Sequence, residues 1–538
     1  MRRGRFSLSI LLALAIMPLG AFAEGTSPLR GQPLPSTGLV LDQKLTVGDI
    51  TISYPQGLEP QAKELAAVCQ SVIPPRKARF LAVEKAFSDQ KAMAQRVADL
   101  LACPEHAEAA CQLLGAMEPV TETLLLPMLS DVRIYREADL KAAGGLDAGL
   151  VSLSYDPKTD QFTFQISAQF NSRTPTPSSA TSFLPTIVRD DGTFRTLASL
   201  GLAEYLSDRL DETVVGFAIT VHAAMIHEVA ESMLVSMGFF HPFARWFNEG
   251  AASWVQLQVV AQLAPEYLDV CREHFLPGRE ADPLRERINL LAWTQLTYGR
   301  EFVVVGDAGL DEAHYPYATE LIERLLDRQP PGTLATVVAR VKGSQSPDSD
   351  AICQAFQEVT GKDARNMLLE YVPTHVRDGL AQGLASTKLQ EGYQALSAGE
   401  LPRAAARLKE ALEMSPSDPD AHLSLAIIMR RALRGPQVPD PGTVQRRRLE
   451  SERHIAIAAV LTRGDPRHQF QIHGPVDNEA RYALGRAEQL RGRFGEAKDI
   501  LSKLPQDHED AQEALKEIAE QEKALTPGPA DAAGGRQE

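Results

Sequence analysis

The sequence predicts an α+β fold with a small mixed sheet and a helical subdomain, followed by an all-α carboxy-terminal domain. Three observations support this prediction. Short alternating runs such as Ile50-Thr51-Ile52-Ser53-Tyr54 lie before residue 170 and are typical of strands. From Leu197 onward the chain has mostly helical patterning. After about residue 385, small residues recur at matching positions, which indicates an internal helical repeat.

The first 23 residues have the pattern of a signal peptide. Three arginines precede an apolar run from Leu8 to Leu19, and Ala21-Phe22-Ala23 supplies a small-residue cleavage site. The apolar run is too short to span a bilayer. We therefore expect the protein to be exported, to a periplasm or to the medium, without stable insertion in the membrane.

The charge balance narrows the range of partners. The formal net charge is −15, and removal of residues 1–23 takes away three arginines and no acidic residue, which gives −18. Such a surface repels phosphate groups, so we expect no binding of nucleic acid and no general attraction to anionic lipid.

Five cysteines in 538 residues do not form a disulfide framework. Cys103 and Cys111, on one helix, would lie about 12 Å apart, beyond the reach of a disulfide. Pairing of Cys69 with one of them and buried free thiols are both open alternatives.

The amino-terminal elements follow from local patterns. Residues 24–45 are rich in Gly, Pro, Ser and Thr and predict a flexible leader. The next segments predict, in order, a strand at Ile50–Tyr54, a helix from about Glu59 to Val72, a helical insertion to about Leu129, and strands of a small sheet at Val132–Tyr135 and Gln161–Ile166.

A predicted helix with candidate metal-binding and catalytic side chains contains His227-Glu228-Val229-Ala230-Glu231. Positions i and i+4 share one helix face, so this spacing presents His227 and Glu231 together, with Glu228 beside them. Gly238 and Pro242 predict the end of the helix. An apolar stripe supports the helical assignment and consists of Val221, Met225, Val229, Met233 and Leu234.

A second helix is predicted to begin near Phe243 and to contain Trp246-Phe247-Asn248-Glu249-Gly250. A short helix-turn-helix would bring Glu249 back toward His227. The two segments resemble the active-site helices of gluzincin peptidases, which include thermolysin and aminopeptidase N. The wider pattern of residues 46–380 is similar to the bacterial peptidase MA-like domains that often precede tetratricopeptide repeats, which implies a zincin-like fold there.

The resemblance implies a set of roles. His227, Glu231 and Glu249 would hold a divalent metal, zinc if any, and Glu228 would be the general base for metal-activated attack of water on a peptide bond. A tyrosine commonly stabilises the oxyanion in this group. The candidates are Tyr298, Tyr315 and Tyr317, which the sequence does not rank. We include Tyr317 in the predicted site.

Glu231 departs from the family pattern, because the second ligand there is a histidine. A site with one imidazole and two carboxylates is formally neutral, so the ion would be a weaker Lewis acid and oxygen-preferring ions such as manganese would compete with zinc. Slow or absent turnover is therefore expected. Without metal, the crowded carboxylates would need a protonated His227, the approach of Arg245, or access to water.

Two other histidines could supply the missing imidazole. His222 lies five residues before His227, about 140° around a straight helix, so it would share a face only through a π-bulge. His241 lies in the turn between the helices. A histidine satisfied by other contacts is the alternative for both.

Residues 385–525 resemble tetratricopeptide repeats. In a middle copy, opened by Ala421, Leu425 and Ala426, an insertion is expected to delay the second helix. The insertion carries a basic cluster that would attract an acidic partner, with a solvated helix face as the alternative; it consists of Arg446, Arg447, Arg448 and Arg453. A partner protein or peptide is the expected ligand, and stabilisation of the preceding domain is the alternative. Residues 526–538 predict a disordered tail. Two copies share the repeat spacing, at Gly392, Gly399, Ala404, Leu408, Ala411 and Pro416, and at Gly485, Gly492, Phe494, Ala497 and Leu501.

Two classes of function follow. The first is an exported metallopeptidase-like enzyme acting on protein or peptide. The second is a non-catalytic envelope protein that uses the peptidase fold and the repeats as a binding scaffold.

Overall fold

The structure, a computed structural model, describes residues 39–117, 125–147, 151–166, 182–196, 200–239, 241–276, 284–294, 308–342, 347–434, 440–463, 465 and 467–525. The signal peptide, most of the leader, Tyr298 and the tail 526–538 lie outside these residues. The described chain divides into two compact units. The first comprises residues up to 233 together with 255–274, and the second comprises 234–254 together with residues from 275 onward.

The described part of the first unit contains two small sheets. Its strands are β1 (Gln43–Val47), β2 (Ile50–Tyr54), β3 (Asp131–Arg136), β4 (Gly145–Asp147), β5 (Val151–Asp156), β6 (Gln161–Ile166) and β7 (Leu184–Val188). One sheet has the order β1-β2-β3-β7, with β1 antiparallel to β2 and the other pairs parallel. The other sheet, β4-β5-β6, is antiparallel.

Two predictions for the amino-terminal part need correction, the pairing of two strands and the length of the leader. The segments at 132–135 and 161–166 were expected in one sheet, but β3 pairs with β2 and β7 whereas β6 pairs with β5. Local alternation predicts a strand but not its partner. The predicted leader 24–45 is also too long, because β1 begins at Gln43 and forms a tight hairpin through Gly48, whose φ is +62°.

The helices up to residue 275 are α1 (Glu59–Ala86), α2 (Gln90–Leu100), α3 (Ala107–Met117), α4 (Glu137–Ala143), α5 (Leu202–Leu210), α6 (Phe217–Ser236), α7 (Arg245–Leu263) and α8 (Leu268–Phe275). Helix α1 does not end near Val72 as predicted. It continues through Pro74 and Pro75, and Phe80 and Val83 beyond them are fully buried. Core packing of this last part outweighs the hydrogen bonds lost at the prolines.

Helix α6 is the core helix of its region. A π-helical turn, Asp211–Gly216, joins it to α5, and Asp211 accepts hydrogen bonds from Arg76 and Arg79 of α1. The combined stretch Leu202–Ser236 is, among the described residues, the one helical segment long and apolar enough to cross a membrane. Burial covers 89% of its most apolar window, which is typical of a helix in a protein core.

The second unit is helical. Its helices after residue 275 are α9 (Ala308–Leu326), α10 (Thr333–Val341), α11 (Ser349–Thr360), α12 (Ala364–Leu369), α13 (Thr374–Ala381), α14 (Leu384–Ser397), α15 (Leu401–Met414), α16 (Pro419–Ala432), α17 (Pro441–Thr462), α18 (Asn478–Leu490), α19 (Phe494–Leu501) and α20 (Glu509–Leu525). The predicted boundary between 380 and 385 lies inside this unit. The expected combination of small sheets and a helical carboxy-terminal part is confirmed at this level.

The internal repeat has a physical counterpart in two helix pairs. A Cβ atom on Gly392 of α14 would lie 2.7 Å from Leu408 of α15, and one on Gly485 of α18 would lie 2.7 Å from Leu501 of α19. The turns of both pairs contain a glycine with positive φ, at Gly399 and Gly492. Small residues at these positions allow the paired helices to approach closely, so a helical-repeat arrangement is present.

The second helix of the middle copy is delayed as predicted, since eight residues separate α16 from α17 whereas three separate α14 from α15. Helix α17 starts at Pro441 and includes Arg446–Arg448, of which Arg446 and Arg448 are exposed on the helix surface. A longer connection, 463–477, follows α17. The basic cluster was expected in the insertion but lies on α17 itself, because arginine is a good helix former. Its exposed arginines agree with the alternative of a solvated helix face.

All five cysteines are free thiols. Burial raises the pKa of Cys69, Cys271 and Cys353 to about 12, so these thiols stay protonated at neutral pH. The alternative of a disulfide to Cys69 is therefore not realised.

Candidate functional site

Helix α6 brings together three of the predicted site residues. His227, Glu228 and Glu231 each offer one ligand atom, and these atoms lie within 4.8 Å of one another. The His227 side chain is buried, with 6% exposure, and both carboxylates are half-buried. This cluster is local, since one helical turn carries all three groups.

The donor set fits a divalent cation. Two ligands at about 2.2 Å from one ion can be at most about 4.4 Å apart, so small rotations of the half-buried glutamates would suffice. Two carboxylates and an imidazole suit zinc and manganese alike. Two carboxylates this close also repel each other, and a cation would offset that repulsion.

His222 has a different environment from His227 although both lie on α6. Its Nε2 is 2.9 Å from Glu84 Oε1 of α1, and its ring stacks on Phe87 with centroids 4.9 Å apart. The π-helical turn ends at Gly216, so residues 217–236 form an α-helix and His222 does not share the face of His227. It is the satisfied histidine of the alternative interpretation.

His241, in the second unit, is also engaged locally. Its Nδ1 accepts a hydrogen bond of 3.2 Å from the backbone N–H of Phe243. Burial lowers the pKa of His241, and Asp348 opposes this effect. His241 is thus mostly neutral at neutral pH, with one ring nitrogen already used.

Glu249 belongs to the second unit, where it is 2% exposed. Arg245 Nε donates to Glu249 Oε1 at 3.1 Å, and the Tyr315 hydroxyl donates to the same oxygen at 3.2 Å. The approach of Arg245, one of the three conditions expected to relieve crowded carboxylates, is therefore realised at Glu249. The predicted role of Glu249 as third ligand stays a prediction.

Arg245 is the centre of a buried polar cluster. Its Nη1 donates to Thr294 O at 3.0 Å and to Asp311 Oδ1 at 2.8 Å, and its Nη2 donates to the Tyr315 hydroxyl at 2.9 Å and to Asp311 Oδ2 at 3.3 Å. Together with the bond to Glu249, all three guanidinium nitrogens have acceptors. A buried guanidinium requires such partners.

The surroundings of Arg245 keep it charged. Burial alone would lower the pKa of Arg245, but its interactions with Tyr315, Glu249 and Asp311 outweigh burial and raise that pKa. The guanidinium carbon also lies 4.3 Å from the ring centroid of Trp293, a cation–π distance. Trp293 Nε1 in turn donates to Asp311 at 2.9 Å.

The residues around Glu249 position helix α7. Trp246 is fully buried, and its Nε1 donates to Ser349 Oγ at 2.9 Å. Asn248 Nδ2 donates to the backbone carbonyl of Phe239 in the preceding turn. These two bonds fix both sides of the first turn of α7.

Gly250 is required by close packing. A Cβ atom at this position would lie 2.6 Å from the carbonyl oxygen of Ala318 on α9, and 2.9 Å from its carbon. Only glycine allows helix α7 to approach the backbone of α9 so closely. The Glu249-Gly250 pair thus places a carboxylate next to a close contact between two helices.

Of the three candidate tyrosines, Tyr315 donates a hydrogen bond to Glu249. Tyr317, two residues further along α9, points in a nearly opposite direction from Tyr315. The predicted oxyanion role of Tyr317 stays a prediction. Tyr317 is buried, with Arg285 4.6 Å above its ring and Tyr371 6.1 Å away. Tyr298 lies outside the described residues.

Two residues of this cluster, Asp311 and Trp293, were not predicted from the sequence. Asp311 precedes Tyr315 by four residues, so both lie on one face of α9, and that spacing was a usable signal. Trp293 lies in a segment without regular structure, and its sequence offered no signal of its own.

Comparison of the chain with models of protein families, with curated proteins and with solved structures finds no match.

Proposed function

We propose that this chain is an exported protein related to gluzincin metallopeptidases, and that His227 and Glu231 hold a divalent metal. The observation that carries the proposal is the convergence of His227, Glu228 and Glu231 within 4.8 Å on one turn of a buried helix. The zincin-like fold of residues 46–380 and a third ligand at Glu249 belong to the same proposal.

The chain's own groups would have distinct tasks. When bound, the ion would supply positive charge that polarises a peptide carbonyl and makes water more acidic. Glu228, half-buried beside the ligands, would accept the proton of the attacking water and return it to the leaving amine. Because Glu231 adds a negative charge in place of an imidazole, we expect slow turnover.

A peptide-cleavage assay tests the enzymatic part. Hydrolysis of casein or a fluorogenic peptide in the presence of Zn²⁺ or Mn²⁺ should fall about 100-fold or more in Glu228→Gln, the usual contribution of a general base. Glu64→Gln, at an exposed position on α1, is the matched control and should leave hydrolysis unchanged. Hydrolysis that survives Glu228→Gln would contradict the assigned base.

A second candidate function is a non-catalytic scaffold that binds a protein or peptide through tetratricopeptide-like repeats. The ion pair between Arg245 and Glu249 favours it, because a carboxylate already neutralised by a buried guanidinium is a poorer metal ligand. The close helix pairs at Gly392 and Gly485 support the repeat assignment. Metal-independent stability together with no hydrolysis would favour this candidate.

A further inference from the structure

The connection between α17 and α18 is unusually long. It spans residues 463–477, fifteen positions, whereas α14 and α15 are joined by 398–400 and α18 and α19 by 491–493. Connections between packed helices commonly need about 2–8 residues, and longer ones without regular structure are commonly functional. Residues 463, 465 and 467–477 of this connection are described, and we call 467–476 the strap.

The strap has no regular secondary structure, and over residues 468–472 it has one buried face. His468, Phe470 and Ile472 are half-buried, while Gln469 and Gln471 between them are exposed. This alternation has the period of a β-strand, although the strap pairs with no strand of the described chain. Phe470 and Ile472 pack against the core that helices α16 to α20 share. The segment therefore lies on the helices as a peptide ligand would.

Side chains of the helices bind the backbone of the strap. The Asp420 carboxylate accepts from the N–H of Gln471 at 3.1 Å, at the start of α16. Two carbonyls are held by arginines: His468 O accepts from Arg491 at 3.3 Å, and Pro475 O accepts from Arg431. Backbone recognition of this kind does not depend on the sequence of the bound segment, so another extended chain could be held by the same three groups.

Two strap side chains meet specific partners. His473 stacks on Tyr393 of α14, with ring centroids 3.7 Å apart. Phe470 lies 5.3 Å from the guanidinium carbon of Arg491, a cation–π distance. The surface therefore offers an aromatic platform for His473 at one end and an apolar contact beside Arg491 for Phe470 at the other.

We propose that Tyr393, Asp420, Arg431 and Arg491 form a binding surface for an extended peptide, and that the strap occupies this surface as an internal ligand. The partner is an unfolded or extended protein segment with the side-chain spacing of the strap. It has apolar side chains at the positions that correspond to Phe470 and Ile472, and an aromatic or imidazole ring at the position that corresponds to His473. Its binding displaces the strap. This inference deepens the second candidate function and rests on it, but it is independent of the metal proposal.

The internal ligand would set a threshold for binding. A tethered segment acts at an effective concentration of about 1 mM, so against a free peptide with a Kd of about 10 μM it weakens the apparent affinity about 100-fold. A partner must therefore exceed the strap in affinity or arrive in several linked copies.

The test uses the full chain and a labelled synthetic peptide that copies residues 467–476. In one variant, residues 468–475 are replaced by Gly and Ser at equal length, which keeps the chain connected and vacates the surface. In a milder variant, Phe470→Ala and Ile472→Ala, the strap loses only its two apolar anchors. Fluorescence anisotropy measures binding, and a peptide with the same two alanine substitutions is the ligand control.

We expect the replaced variant to bind the peptide about 100-fold more tightly than wild type, with the milder variant in between. Adding Arg431→Ala to either variant should weaken binding at least tenfold, whereas Arg403→Ala, at an exposed position on α15, should not. If both variants fold and neither binds the peptide more tightly than wild type, the proposal is overturned. If the replaced variant does not fold, the milder one decides by the same criterion. Neither result bears on metal binding at His227.

Discussion

Gly250→Ala is the substitution whose effect follows most directly from the packing. The added methyl carbon would lie 2.6 Å from the carbonyl oxygen of Ala318. Ordinary C···O contacts are about 3.3–3.6 Å, so α7 and α9 would have to separate by roughly 0.7–1 Å. Overpacking of this kind costs about 1–3 kcal/mol, and the gain from replacing glycine inside a helix offsets only about 0.5–1 kcal/mol. We expect a net loss of about 1–2 kcal/mol.

Tryptophan fluorescence during urea unfolding measures this loss, because Trp246 and Trp254 lie on α7 itself. The same chemical change at Gly495 is the matched control, since a Cβ atom there meets nothing within 4 Å. Gly495→Ala should leave the midpoint unchanged or raise it slightly. A midpoint for Gly250→Ala equal to or above that of wild type would refute the packing argument.

Three further predictions concern buried polar groups. Arg245→Met should lower the free energy of unfolding in urea by about 3–5 kcal/mol, because Glu249 keeps a buried charge without its cation. Adding Glu249→Gln should recover part of this loss, and no recovery would contradict the ion-pair account. Tyr315→Phe should lower the free energy of unfolding by about 1–2 kcal/mol, because the Tyr315 hydroxyl links Arg245 to Glu249. A change below about 0.5 kcal/mol would argue against that link. Burial lowers the pKa of His422 to about 4 and that of His454 well below its usual value, and their Nδ1 atoms are 2.7 Å apart. Unfolding lets both histidines take up protons, so their contribution to stability is present above pH 6.5 and should be lost as the pH falls toward 4, by more than about 1 kcal/mol per pH unit for each histidine. Urea unfolding at about pH 4.5 and at about pH 6.5 measures this loss in wild type and in a His422→Phe, His454→Leu double variant. If the midpoint changes by the same amount in both proteins, this pair is not the cause.

Much of the fold was predictable where the signal is local. The apolar stripe and the stop signals placed α6 and the start of α7 within a few residues, because helix periodicity and end signals are properties of a short window. The errors arose where tertiary packing decided the outcome. Burial of Phe80 and Val83 carried α1 through two prolines, and strand pairing separated β3 from β6.

The candidate site divides in the same way. The grouping of His227, Glu228 and Glu231 is a consequence of one helical turn and needed no tertiary information. The cluster around Arg245 instead joins groups 49 and 66 positions away, at Thr294 and Asp311, and no local pattern encodes those contacts. The hydrogen bond from Tyr315 to Glu249 likewise depends on how α9 packs, which no local pattern encodes.

The most direct test of the central claim is the metal content of the protein after loading with Zn²⁺ or Mn²⁺ and removal of unbound ion. Mass spectrometric analysis should find about one ion per chain in wild type and essentially none in His227→Ala. His375→Ala, which removes an exposed histidine with 71% side-chain exposure, is the control and should retain the ion. A wild-type protein that holds no more metal than His227→Ala would contradict the proposed metal centre.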